Sequence, residues 1–162
     1  LPGVAINNSK IKEVIKPNHV TYTIKTWQNT GQCLQYDPFT GQCINWRYDF
    51  LFYSYGQTGA KITGYVSTPS SKATVQGVNV AKVDDTTIET WVAHPPVPTS
   101  NSQTQYTDIT PGRSGSGQGR ITSGSSKSTL NGKKVALIGS EVTTHLGVKT
   151  TIEDGNTKIN MN

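Results

Sequence analysis

An internal repeat constrains this chain more than any other feature. Residues Val66–Thr87 read VSTPSSKATVQGVNVAKVDDTT, and Ile121–His145 read ITSGSSKSTLNGKKVALIGSEVTTH, displaced by 55 positions. Laid over each other, Gly64 meets Gly119, Ser70-Ser71-Lys72 meets Ser125-Ser126-Lys127, Thr74 meets Thr129, Gly77 meets Gly132, and Val80-Ala81 meets Val135-Ala136. A truncated third copy, Ile152–Lys158, follows Ile121–Lys127 at an offset of 31. Short repeated units cannot bury an apolar face alone, so the copies must pack on one another.

Each copy reads as a hairpin. In the later one, Thr129-Leu130 leads into Asn131-Gly132, a strong two-residue turn signal, and Lys133–Ile138 leads out. Composition agrees with strands. Apolar residues make up 33% and charged residues 15%, and most of the rest is Ser, Thr, Asn, Gln and Gly. A helical globule needs more Leu, Ala, Glu and Lys than this. The abundance of β-branched residues and the low charge argue against disorder. So few large apolar side chains imply a thin, hydrogen-bonded β structure that leans on a partner. The net charge of +5 is spread along the chain without a dense basic run, so nucleic acid is not an expected partner. No stretch approaches the roughly 20 apolar residues of a membrane-spanning helix, and no signal peptide is visible.

Outside the repeats the signals are more local. Residues 1–16 are ambiguous, although Ile6–Ile11 carries a faint echo of the terminal copy, and Pro17 is expected to break the segment. From Val20 the pattern VTYTIKTW alternates as a strand does, and Asn29-Thr30-Gly31 reads as a turn. Asp37-Pro38-Phe39-Thr40-Gly41 is a turn cluster between strands that carry Cys33 and Cys43. Trp46–Tyr55 gathers most of the aromatics into one long strand. Gly56–Gly59 reads as a turn, and residues 99–119, rich in Ser, Gly, Gln and Thr, as a flexible loop. The resulting division is a divergent β-hairpin region at 1–58, repeat 1 at 59–87, a loop at 88–118, repeat 2 at 119–145 and partial repeat 3 at 146–162.

The string Gly-Ser-Ser-Lys, an apolar residue, Asn-Gly-Lys-Lys-Val-Ala and then Gly-x-x-Val-Thr-Thr-His resembles the PAAR-repeat family. Those proteins cap the central spike of contractile injection machines: type VI secretion systems, phage tails and extracellular contractile particles. The family's Pro-Ala-Ala-Arg segment corresponds here to Asn79-Val80-Ala81-Lys82 and Lys134-Val135-Ala136-Leu137, in which only the central Ala is kept. The likeness covers Gly59–Thr87 and Gly119–Asn162. It implies an all-β, small conical fold of short strands and hairpins with an N-terminal β insertion, seated on a trimeric β-helical spike protein. It implies mechanical work and no chemical turnover: the tip is assembled in the bacterial cytoplasm and driven outward through a target membrane, and some relatives carry cargo effectors. It also implies Zn²⁺ at the apex, held by several His and one Cys.

On that likeness His145, which follows Thr143-Thr144 just after repeat 2, is the leading metal ligand, and His94, in the stretch after repeat 1, is a second. His19 is available as a third, with nothing local to fix its position. Each has the plainer reading of a solvated loop histidine. Cys33 and Cys43 have three readings: free thiols, a cross-strand disulfide, or one zinc ligand; they lack Cys-x-x-Cys spacing. The aromatic run admits a recognition surface or internal packing, so an adhesin or carbohydrate-binding module is the alternative function, and a zinc hydrolase a weaker one. Asp84-Asp85 and Glu153-Asp154 are adjacent on strands and point to opposite faces, so neither is a catalytic pair. Gly112–Gly119 lacks the strand–helix context of a phosphate loop.

Overall fold

The computed structural model describes residues 2–162, and among them every regular element is a strand. In chain order they are β1 (Gly3–Val4), β2 (Val14–Tyr36), β3 (Cys43–Ser67), β4 (Thr74–Val75), β5 (Val78–Asn79), β6 (Thr86–His94), β7 (Thr104–Thr110), β8 (Ser114–Ile121), β9 (Thr129–Leu130), β10 (Lys133–Lys134), β11 (Glu141–Thr143), β12 (Lys149–Thr151) and β13 (Asn156–Asn160). Seven form one sheet in the order β12-β11-β8-β6-β3-β2-β7, and β4–β5, β9–β10 and β1–β13 are separate two-stranded pairs. The chain divides into two compact units. One comprises residues 2–17, Ala60–Val92 and Ser114–Asn162, and the other Asn18–Gly59 and Ala93–Arg113.

The first unit contains the repeats, and its backbone shows three equivalent copies. The Ala5 N–H donates to the Ala136 carbonyl, Ala136 to Ala81, and Ala81 back to Ala5, each at 2.9 Å. This closed ring runs through three fully buried alanines. Three turns repeat around it. Ile6, Lys82 and Leu137 donate their N–H groups to Ser9 Oγ, Asp85 Oδ2 and Ser140 Oγ. Asn8, Asp84 and Gly139 take positive φ, where Gly, Asn and Asp are favoured. Their N–H groups donate to Val66, Ile121 and Ile152 at 2.8–2.9 Å. The third copy, which stops short at the C-terminal side of the sequence, is thus completed by residues 3–11. Val4-Ala5 repeats Val80-Ala81 and Val135-Ala136.

The core is layered on this ring. Beside the alanines lie Val66, Ile121 and Ile152, then Ile11 and Val142. Thr87 stands at the position equivalent to Ile11 and Val142, two residues past the turn, and is equally buried. The hairpins β4–β5 and β9–β10 turn through Gln76-Gly77 and Asn131-Gly132, with positive φ at both residues of each pair. That is the mirror-image turn which Asn-Gly predicts.

In the second unit, β2 and β3 carry the Cys33–Cys43 disulfide, with Cα atoms 5.9 Å apart, which decides among the three readings of those cysteines. β7 adds to β2 from Thr21↔Thr110 to Thr26↔Thr104. Asp37–Gly41 forms the turn, its Asp37 carboxylate accepting from the Phe39 N–H at 2.8 Å. Several expected breaks are absent. β2 runs through Pro17 and through Asn29–Gly31, where Gly31 takes positive φ and its N–H donates to Asn29 Oδ1. β3 runs through Gly56–Gly59, because Gly56 leaves room for the Tyr22 ring laid across it. The expected loop at 99–119 contains β7 and β8 instead.

Candidate functional site

Two places in the repeat unit and one in the ribbon draw functional attention. The first is a buried carboxylate. Along β6, Thr87, Glu89, Trp91 and Ala93 point inward in alternation, so Glu89 is 0% exposed. An ionised carboxylate there requires partners. Its Oε1 accepts the His145 backbone N–H at 2.8 Å and lies 2.6 Å from His145 Nδ1, and its Oε2 accepts from Thr87 Oγ1 at 2.5 Å.

Glycines make room for this cluster. A Cβ on Gly119 would collide with the Glu89 carboxylate, the Thr143 carbonyl and Thr87 Oγ1, and one on Gly64 with the Ile88 carbonyl and Glu89. These two glycines align with each other in the repeat. Gly117 lies under the His145 ring and Gly115 under the Trp91 ring. Gly115, Gly117 and Gly119 therefore form the tightly packed face of β8. Their spacing of two, read from sequence as a flexible linker, is a strand face emptied to admit large neighbours.

Glu89 fixes His145 Nδ1 as the donor, and the opposite ring atom, Nε2, is buried without a hydrogen-bond partner. A carboxylate-oriented imidazole suits either a metal ligand or a general base. Neither assembly is completed. The Thr87 hydroxyl donates to the carboxylate and not to the ring, so no hydroxyl is set up for proton abstraction by Nε2. Of the other two expected ligands, His94 is exposed at the end of β6 and His19 is half-buried in β2. Among the described residues no three of His, Cys, Asp and Glu are grouped to hold a metal ion. Cys33 and Cys43 are spent in their disulfide. The residues present therefore do not fit the four-ligand tetrahedral zinc implied by the resemblance.

The second place is an apolar cluster on the other side of the alanine ring. Val4, Val75, Val80, Val135 and Leu137 are buried there, with Ile6, Ala73, Leu130 and Met161 half-covered around them. A cleft lined by Val4, Val75, Val80, Leu130, Val135 and Met161 opens onto it. Its walls come from the two hairpins and the β1–β13 pair, each supplying a large side chain: Val75 from β4, Leu130 from β9, and Met161 just past β13. Nothing in the single-sequence patterns predicts this face, because its third wall joins residues from both ends of the sequence.

The third place is the β2–β3 ribbon of the second unit. Trp27 stacks on Tyr48, with ring centroids 6.2 Å apart, and meets Phe50 edge-on at 5.0 Å. The aromatic strand expected at Trp46–Tyr55 is part of β3, but Trp46, Tyr48, Phe52, Tyr53 and Tyr55 remain exposed.

Comparison with known protein families, with curated proteins and with solved structures yields no match for this chain.

Proposed function

We propose that this chain is a PAAR-like spike tip, which caps the trimeric β-helical spike of a contractile injection machine and is driven with it through a target membrane. The observation that carries this reading is the closed Ala5–Ala81–Ala136 ring. It gives one chain near-threefold symmetry, and a trimer ends in three identical chains. The three strand pairs around the apolar cluster, two hairpins and β1–β13, would each meet one of those ends. Such a cap would cover spike strand edges that otherwise invite uncontrolled pairing. The repeat unit then fills the role of a small cone, and the disulfide suits delivery to an oxidising exterior.

Zinc has no assigned place in this reading. Where relatives are expected to gather a metal, this chain has the Glu89–His145 pair. The test is native mass spectrometry of the purified chain mixed with the trimeric spike encoded beside it. One tip per three spike chains is expected, with Leu130→Asp and Met161→Asp, at half-covered positions of the rim, weakening the complex at least tenfold while the β-sheet circular dichroism is unchanged. No complex, or a 1:1 chain ratio, would overturn it. The exposed aromatic ribbon favours a second reading, an adhesin or carbohydrate-binding module, which would bind glycans without a spike.

A further inference from the structure

The ribbon formed by β2 and β3 is amphipathic between Trp27 and Phe50 in a way that a water-facing hairpin has no use for. Alternation along β3 sends Ile44, Trp46, Tyr48 and Phe50 to one face and Asn45, Arg47 and Asp49 to the other. Side-chain contacts bear this out: Trp27 packs on Tyr48 and Phe50, while Arg47 reaches Asp49 and Gln32 on the polar side. At the end of the ribbon Phe39 is 95% exposed. It is held there by a closed turn, since the disulfide joins the strands behind it and the Asp37 carboxylate takes the Phe39 and Thr40 N–H groups. Leu34 and Ile44 beside the turn are also more than half exposed.

Charge narrows the partner. From Trp27 to Tyr55 the charged side chains are Asp37, Arg47 and Asp49. Arg47 and Asp49 pair with each other at 3.2 Å, and Asp37 is turned into its own loop. The ribbon therefore offers no field to attract nucleic acid or an anionic surface. At the far end of the ribbon the exposed side chains Leu34, Phe39 and Ile44 carry no hydroxyl, amide or charge, whereas an oligosaccharide site requires convergent polar groups. Trp, Tyr, Phe and Ile on one side of a sparsely charged body are the side chains that partition into the headgroup–acyl boundary of a bilayer. A two-stranded ribbon leaves backbone groups unpaired along its edges, so it cannot cross the hydrocarbon, and contact is limited to the boundary.

We infer that the Phe39 turn and the Trp46 face form a membrane-docking element that inserts shallowly into the interface of a phospholipid bilayer, driven by apolar burial and not by charge. It involves residues outside the repeats. It does not depend on the spike-capping reading, because vesicle binding needs no spike.

The whole protein is floated with phosphatidylcholine vesicles, and Trp fluorescence is recorded with brominated lipids as quenchers. Wild type is expected to float, with quenching strongest for shallow bromines and with binding unchanged by about 0.5 M salt, roughly fifty times the concentration at which exposed charges are felt over about 30 Å. Phe39→Asp should lower partitioning at least about tenfold, since burying such a side chain is worth that much, and Trp46→Ser should lower it further. Phe39 touches no core, so near-ultraviolet circular dichroism of Phe39→Asp should match wild type and exclude misfolding. Absence of flotation would overturn the inference. So would flotation retained by Phe39→Asp, or flotation confined to anionic vesicles and lost in salt, which would point to the lysines of the repeat unit. Binding to soluble oligosaccharides without flotation would assign the face to glycans instead. A dimer in the absence of vesicles that Phe39→Asp dissociates would assign it to a second copy.

Discussion

The two units of this protein solve the same problem in opposite ways. The repeat unit has small side chains at its centre and joins three distant segments through backbone hydrogen bonds, so that each N–H of the alanine ring is satisfied by another copy. The ribbon of the second unit has the largest side chains and leaves most of them in water. Hydrophobic content alone would place the core in the ribbon. The layered core lies where Ala, Val and Ile are closed off by turns and glycines. The ribbon is held in shape by a covalent bond and one strand neighbour, as two-stranded hairpins need additional support in water. Where the chain is tightly packed it has little to offer a partner except at its rim, and where it is loosely packed it displays much.

That contrast can be broken at graded points. The largest effect is expected from Ile121→Ala, which empties a fully buried position beside the ring. It should destabilise the repeat unit by about 4 kcal/mol, read by denaturant unfolding. Gly119→Ala comes next. The neighbouring Thr143 carbonyl is backbone and cannot rotate away from the added methyl, so a loss of about 3 kcal/mol is expected. His145→Ala leaves the Glu89 carboxylate buried with two of its partners, for a loss of about 2–3 kcal/mol. If zinc content is the same before and after that change, His145 is not a ligand. Replacing Cys33 and Cys43 by Ser should act on the other side of the comparison. About 2–3 kcal/mol is expected for a loop of this size, felt as faster amide exchange in the ribbon with the repeat unit's protection unchanged.

The smallest effect is electrostatic. Asp84, at one of the three equivalent turns, is held below the usual carboxylate range, first by the hydrogen bond from Lys133. A depressed folded-state value means that its contribution is present above the unfolded value, about 3.9, and is lost as pH falls through the folded one. Lys133→Met should therefore lower stability slightly at neutral pH, with the difference from wild type shrinking as pH falls below about 4, read by denaturant unfolding across that range.

Several features were legible from residues alone. Asn131-Gly132 and Asp37–Gly41 turn as their chemistry dictates, and the two repeats align as their matching residues demand. What stayed hidden depends on contacts distant in sequence. Val4-Ala5 carries the same dipeptide as the other two copies, but two residues are too weak a signal until a hydrogen-bond ring joins them. Glu89 was hidden for a sharper reason. Glu13 stands at the equivalent offset from its own turn and is exposed, whereas Glu89 is sealed in. No local pattern separates two glutamates whose difference is a histidine more than fifty residues away. Pro17 and Gly56–Gly59 misled because they mark breaks in most strands. Here β2 and β3 are long enough to carry such residues through.

The alanine ring has a further consequence, for the order of events in folding. Its three members lie near the beginning, the middle and the end of the sequence, so no two adjacent segments can close it. Ala5 accepts from Ala81 and donates to Ala136; on a ribosome it must wait, unpaired on that side, until the last copy has emerged. Such non-local closure makes for slow, all-or-none assembly. The ribbon hairpin, whose strands are adjacent in sequence, has no such delay and can form while the ring is still open.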